Sequence, residues 1–457
     1  MSVDVRDRLP DGLLIAFYGD DFTGSSASME ATAFAGLPTV LFLAPPTPEQ
    51  LSRFASYRAI GIAGVARSQS PAWMDERLPP VFRALRDLGA PVVHYKVCST
   101  FDSAPHVGSI GHAIDLGAPI LGGTWRPLVV AAPDMGRYQA FGNLFAAVDG
   151  RGYRLDRHPT MARHPVTPMD EADVTLHLAR QTDRPIGLID FVAMKQGEGD
   201  AALERARAAA DIIAFDVLDD ETLAETGRLI WDNRGERIFA IGSQGVQFAL
   251  LAHWRRAGLL AEPPGSFKAP PARQIACVSG SCSPVTAGQT AHAERHGFEP
   301  IRIDPSRAVD PAAWGRALGE ATDRALAVVG AGGSPLVFTA SGPDDPSMPA
   351  MREAIAAGGA SAAEVNARVG AGLGKVLRNV LRASGLRRAV IAGGDTSGHA
   401  AHELGLYALT ALAPIAPGSP LCAAHSDDES GQGLEIALKG GQVGRADFFS
   451  VARDGGG

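Results

Sequence analysis

Short apolar runs, each followed by a glycine-bearing polar turn and then by helically spaced apolar positions, recur along the chain. Leu13-Leu-Ile-Ala-Phe-Tyr18 predicts a buried strand and Gly19-Asp-Asp-Phe-Thr-Gly24 a turn. Ser25 to Ala35 then predicts a helix stopped at Gly36, and Thr39-Val-Leu-Phe-Leu43 the following strand. The same order returns at Gln274-Ile-Ala-Cys-Val-Ser279, where Ser283-Pro284 supplies an N-cap and a first-turn proline for a helix running to Gly297. Phe298 to Ile303 is the next strand. A third copy joins Arg388-Ala-Val-Ile-Ala392 to the turn Gly393-Gly-Asp-Thr-Ser-Gly398 and a helix over His399–Leu404. Strand, turn, helix and strand in succession make βαβ units, so the expected fold class is α/β with largely parallel sheets flanked by helices.

Between the first two copies, residues 261–272 carry prolines and a glycine that interrupt helix and ladder alike. This places a first domain at 1–262, a linker at 263–272 and a second domain at 273–457. A chain of 457 residues exceeds what one core usually organises. The 53 glycines fit a fold of many tight strand-to-helix turns.

Charge and cysteine usage narrow the partners. With 42 basic against 50 acidic residues and a formal net charge of −8, no basic stripe is available for a nucleic acid backbone. No apolar run approaches the length that spans a bilayer. Cys98, Cys277, Cys282 and Cys422 lack CxxC spacing, which points to reduced thiols and a cytoplasmic setting.

The turns carry the candidate chemistry, because open α/β sheets bind ligands at the carboxyl ends of their strands. Gly393 and Gly394 at a strand-to-helix turn suit an anion: glycine admits backbone amides close to a phosphate, and a helix start is electropositive. Asp395 then either caps the helix or meets the phosphates through Mg²⁺. Ser279, Ser281 and Ser283 offer hydroxyls and amides at another helix start, and Lys439-Gly-Gly441 supplies a further glycine loop, readable also as a hairpin turn with a solvated lysine.

Asp20 and Asp21, adjacent at a strand end, need cations, hydroxyls or amides to offset their desolvation. They suit a polyol and a general base for phosphoryl transfer, while Asp21 or Thr23 can equally cap the next helix. Lys96, Arg137 and the hydroxyl- or amide-bearing loops at His164 and at Gly242–Gly245 are candidate partners for an acidic substrate. No G-x-x-x-x-G-K-[ST] loop and no G-x-G-x-x-G fingerprint occurs, and His399 and His402 lack the intervening glutamate of a zinc helix.

Taken in order, these segments resemble the four-carbon acid sugar kinase family over nearly the whole chain. The matching elements are Asp20-Asp-Phe-Thr-Gly24, Lys96 to Thr100, His164 to Met169, Gly242 to Gly245, Val278 to Ser283, Gly393 to Gly398 and Lys439 to Gly441. The resemblance implies an N-terminal domain for the acid sugar, a C-terminal domain for ATP, and transfer in the cleft between them. It brings Thr23, Gly24, Lys96, Ser99, Thr100 and His164 into the substrate site, to which the reading of its loop adds Arg137. It brings Ser279, Ser281, Ser283, Gly393, Gly394, Asp395, Thr396, Gly440 and Gly441 to the nucleotide, with Asp395 toward Mg²⁺. Known members act on threonate, erythronate or 3-oxo-tetronate, and the wider family on the branched 3-oxo-isoapionate.

Two departures stand out. Where many members read Ser-Thr-x-Arg-Gly, this chain reads Ser99-Thr-Phe-Asp-Ser103, and the alanine that usually follows Asp-Asp-x-Thr-Gly is Ser25. Exchanging a cation for Asp102 alters how an acidic substrate is held. The expected activity is ATP-dependent phosphorylation of a small sugar acid, with Asp20 or Asp21 orienting the hydroxyl; a homodimer is compatible with it. The alternatives are a dinucleotide-dependent oxidoreductase on the same acids, or a non-catalytic sugar-acid sensor.

Overall fold

A computed structural model describes residues 8–148, 150–263, 265–428 and 431–456; the side chain of Asp395 lies outside what is described. The chain divides into two compact units, Met1–Pro263 and Pro264–Gly457.

The first unit is built on a parallel sheet whose spatial order is Thr39–Phe42, Ala59–Ala63, Ile15–Gly19, Val92–Lys96, Ile238–Gly242, Arg126–Val129, Ile212–Phe215 and Ile186–Ile189. Ile15–Gly19 and Val92–Lys96 are buried along their full length, as strands covered on both faces must be. The covering helices contribute Met74, Leu78, Phe82, Leu85, Ile110 and Ile114 to one core with Tyr95, Phe239 and Ile241. A small antiparallel sheet of Arg137–Ala140, Asn143–Val148 and Arg151–Arg154 is added to this unit.

The direction of winding fixes where a ligand can enter. From Ile15–Gly19 the chain first builds outward to one side, through Thr39–Phe42 and Ala59–Ala63, and then crosses to Val92–Lys96 on the other side. The two strands therefore part at their carboxyl ends, the crevice at which α/β sheets bind ligands.

The second unit repeats the device. Its parallel strands run in the order Phe298–Arg302, Ser334–Phe338, Ala276–Ser279, Arg388–Ala392 and Glu435–Lys439, with Ser419–Ser426 and Leu406–Ala416 added antiparallel. Winding reverses between Ala276–Ser279 and Arg388–Ala392. Each unit thus has a switch point beside a turn singled out by the sequence.

Two helices start earlier than their patterns predict. The first spans Phe22–Phe34, taking in Thr23 and Gly24, because Asp21 caps it through the Gly24 amide at 3.1 Å. The helix after Gly393 spans Gly394–Glu403. In both, residues expected in a turn form the first helical turn. Among the described residues no helix is long and apolar enough to cross a membrane, and Cys98, Cys277, Cys282 and Cys422 are free thiols.

Candidate active site

At the first switch point the register sets Gly19 opposite Lys96, and Lys96 opposite Gly242. The Asp20 amide donates to the Lys96 carbonyl at 2.9 Å, so acid and lysine emerge from adjacent strand ends. Arg67, which follows the strand Ala59–Ala63, joins them from the other side. Its guanidinium lies 2.6 Å from Asp21 Oδ1 and 3.3 Å from Asp20 Oδ1, while Lys96 Nζ lies 3.5 Å from Asp21 Oδ1.

Glycines leave the room in which these groups converge. A Cβ on Gly24 would sit 1.7 Å from Lys96 Nζ and 2.2 Å from Asp21 Oδ1, and one on Gly19 would sit 2.0 Å from Ser25 Oγ. The Ser25 hydroxyl donates to the Asp21 carbonyl at 2.6 Å, which gives this serine a role in the turn.

The two carboxylates have different electrostatics. Asp20 is 3% exposed, and burial pushes its pKa up to about 6, with Arg67 pulling against that and Asp21 adding to it. For Asp21 burial also acts upward, but Lys96, Arg67 and the Gly24 amide together hold it below the usual carboxylate range. Burial works against the charge of Arg67, yet Asp20, Cys98, Asp21 and Asp102 keep its pKa well above the ordinary value. One acid is thus held as a paired anion and the other is set to exchange a proton near neutrality.

The segment after Lys96 folds over this cluster. Phe101 takes a left-handed φ of 54°, which costs a bulky residue about 1–3 kcal/mol. Ser103 anchors the turn: its hydroxyl donates to the Phe101 carbonyl at 3.1 Å, faces His177 Nε2 at 3.1 Å and accepts from Gln181 at 2.9 Å. Thr100 donates to Asp102 Oδ1 at 2.7 Å, and both are buried, as is Ser99. Asp102 is thus a third carboxylate close enough to act on Asp20 and Arg67.

Arg137 begins the antiparallel sheet and spends one guanidinium nitrogen on the carbonyls of Met135, Gly136 and Ala147; its buried Nε has no partner among the described residues. His164 is bonded through Nδ1 to the Thr167 amide and hydroxyl, at 3.1 and 2.9 Å. No described hydrogen bond or ion pair ties either residue to the Asp20–Lys96 group.

At the second switch point Ser279 pairs with Ala392, and Ala392 with Lys439, so the loops that follow lie side by side. The Gly280 amide donates to the Ala392 carbonyl at 3.0 Å, and the Gly393 amide to the Lys439 carbonyl at 2.9 Å. The loops interlock at their glycines: a Cβ on Gly280 would meet Thr396 Oγ1 at 2.2 Å, and one on Gly441 would meet Ser281 Oγ at 2.8 Å. Serine hydroxyls accept the amides of this turn in sequence, Ser281 N to Ser279, Ser283 N to Ser281 and Val285 N to Ser283. Gly393, with φ 123°, is the N-cap of helix Gly394–Glu403 and supplies no side-chain cap, a helix start of the kind that suits an anion.

Comparison with known proteins agrees with this division. A model described as a sugar-binding N-terminal domain matches residues 15–250, and one described as a nucleotide-binding C-terminal domain matches residues 276–449. The chain is 52% identical over 448 residues to a 3-oxo-isoapionate kinase of Paraburkholderia graminis, covering 98% of this chain and 95% of the relative. The chain belongs to the four-carbon acid sugar kinase family. More distant relatives are found too: a 3-oxo-tetronate kinase of Methylobacterium radiotolerans is 33% identical over 97% of this chain and 99% of its own length. A 3-oxo-tetronate kinase of Cupriavidus necator is 30% identical over 96% of each. The fold is shared with the crystal structures of a Salmonella typhimurium LT2 protein (TM-score 0.78, 24% identity, 96% and 98% covered) and of Haemophilus influenzae protein HI1011 (TM-score 0.74, 24% identity, 96% and 99% covered).

The structure brings to the candidate site one cation that sequence reasoning did not name, and buries another for which a solvated turn was one reading. Arg67 bridges both acids, but it stands several residues past its strand, where no strand-end pattern marks it. Lys439 is buried rather than solvated, and Thr286 accepts from its Nζ at 3.0 Å.

Proposed function

We propose that this kinase transfers the γ-phosphoryl group of ATP to a hydroxyl of a branched 3-oxo sugar acid of the 3-oxo-isoapionate kind. The observation that carries the reading is the 52% identity, over almost the full chain, to the Paraburkholderia enzyme, against 27–33% to the 3-oxo-tetronate kinases. ADP release measured across 3-oxo-isoapionate, 3-oxo-tetronates, threonate and erythronate should show the highest kcat/KM on the branched acid. A preference for a linear tetronate would overturn the substrate assignment, and no ADP from any sugar acid would overturn the kinase.

The N-terminal unit, spanning the 1–262 domain, holds the sugar acid. Lys96 supplies the fixed positive charge, and Thr23, Ser99, Thr100, Arg137 and His164 are the further polar groups available to it. Asp20 accepts the hydroxyl proton, its pKa of about 6 suiting a base at neutral pH. Asp21 is occupied by its cations and orients them. Gly24→Ala tests the placement of Lys96, since the added methyl must displace the ammonium. The sugar-acid KM should rise about tenfold or more, equivalent to about 1.4 kcal/mol, while ATP KM is unchanged. Equal effects on both would point to general misfolding instead.

The C-terminal unit, including 273–457 beyond the 263–272 linker, holds ATP on Ser279, Ser281, Ser283, Gly393, Gly394, Thr396, Gly440 and Gly441. The interlocked glycines leave backbone amides open to the phosphates, and helix starts at Pro284 and Gly394 stabilise charge that develops on transfer. Among the described residues no group of His, Cys, Asp and Glu forms a protein-only metal cage, which fits Mg²⁺ held chiefly by phosphates and one carboxylate, for which Asp395 is the candidate. When bound, Mg²⁺ would neutralise phosphate charge. A cytoplasmic enzyme, alone or as a homodimer, is compatible with this reading.

A further inference from the structure

The strand Glu435–Lys439 ends on a lysine that is only 1% exposed. Lys439 Nζ donates to Thr286 Oγ1 at 3.0 Å, and the Thr286 hydroxyl donates to the Gly441 carbonyl at 2.8 Å. The Phe448 ring lies 5.6 Å from the ammonium. An ammonium carries three donors, so the hydroxyl and the aromatic face leave it under-satisfied.

Among the described residues, the surrounding elements bring no opposite charge to it. Helix Pro284–Glu294 carries His292 and Glu294, helix Phe448–Asp454 carries Arg453 and Asp454, and the loop between carries Arg445 and Asp447; none bonds to Nζ among the described residues. Arg388 on the adjoining strand pairs with Glu435 at the other end of Lys439's own strand, and helix Gly394–Glu403, which packs against that strand, carries His399, His402 and Glu403, the last paired with Arg378. A buried ammonium without a counter-ion costs stability, and burial pushes this one down to about 8.

The chain from Lys439 through Thr286 to Gly441 ends in the loop that touches Ser281 and Ser283. We infer that Lys439 is a positioning cation for the nucleotide: the polyphosphate of a bound nucleoside diphosphate or triphosphate supplies its missing counter-charge, and Thr286 transmits that attraction to the Gly440–Gly441 loop. The inference rests on the nucleotide reading above. It implies that binding holds a proton on Lys439, so affinity falls as pH rises above about 8, by up to about tenfold per unit.

The test uses the full-length protein, ADP alone as probe, and calorimetry from pH 7 to 9.5. Wild type should bind more weakly above pH 8. Lys439→Met should bind ADP at least about tenfold more weakly at pH 7 and lose the pH dependence, with the unfolding midpoint of the ligand-free protein unchanged or higher, because an uncompensated buried charge is gone. Thr286→Val, which breaks the relay but keeps the lysine, should weaken ADP binding and retain the pH dependence. Flat wild-type affinity with binding intact, or unchanged ADP affinity in Lys439→Met, overturns this inference alone. No ADP binding by the wild type at any pH overturns the nucleotide reading with it.

Discussion

Asp20→Asn is expected to lower kcat on the sugar acid by about 10²- to 10⁴-fold, and kcat/KM by the same factor, because a base acting in the transition state is lost while ground-state contacts persist. The choice of Asp20 over its neighbour follows from what each oxygen already does. Asp21 accepts from the Gly24 amide and from Arg67 and Lys96, and these hold it ionised. Among the described residues Asp20 has one ion pair, at 3.3 Å, and burial lifts its pKa to about 6. Wild-type kcat should therefore rise as pH passes through about 6, the range in which Asp20 loses its proton. The asparagine variant should lack that ascending limb. Phosphoryl transfer through a loose transition state asks little of its base, which favours the lower part of the expected range. An Asp20→Asn enzyme with wild-type kcat and the same ascending limb would move the base elsewhere, Asp21 first.

Most of the architecture is legible in local sequence because apolar runs, glycine turns and capping residues act within a few positions of one another. Asp21, Ser283 and Pro284 announce helix starts, and the βαβ order announces parallel sheets. Asp20 and Lys96 lie 76 positions apart in number yet meet because each ends a strand, and strand ends are what a hydrophobicity pattern marks. Arg67 was harder to see. It follows its strand by several residues, and only the folded turn brings its guanidinium to both acids. The burial of Lys439 was hidden for a related reason: a lysine beside two glycines reads as a solvated turn, and only the packing of Phe448 and Thr286 over it shows otherwise. Ser103, which stands where a glycine is usual, turned out to be an anchor for the strained Phe101 turn, while Asp102 adds negative charge beside the acids.

Arg67→Met should destabilise the protein by about 3–5 kcal/mol, nearer the lower figure because water reaches a quarter of the arginine side chain. The loss should depend on pH with a definite sign. Asp20 already has a folded pKa above its unfolded value, so stability falls as pH rises through the interval from about 4 to about 6. Removing Arg67 takes away the strongest influence holding that pKa down, which widens the interval upward. The gap in unfolding midpoint between variant and wild type should be small near pH 4.5 and largest near pH 8. Adding Asp20→Asn to the variant should recover much of the loss at pH 8, since the uncompensated charge is then absent, and a double-mutant cycle should give a coupling of about 0.5–3 kcal/mol. Equal destabilisation at both pH values, with no recovery in the double variant, would mean that Arg67 acts by packing alone and does not hold down the pKa of Asp20.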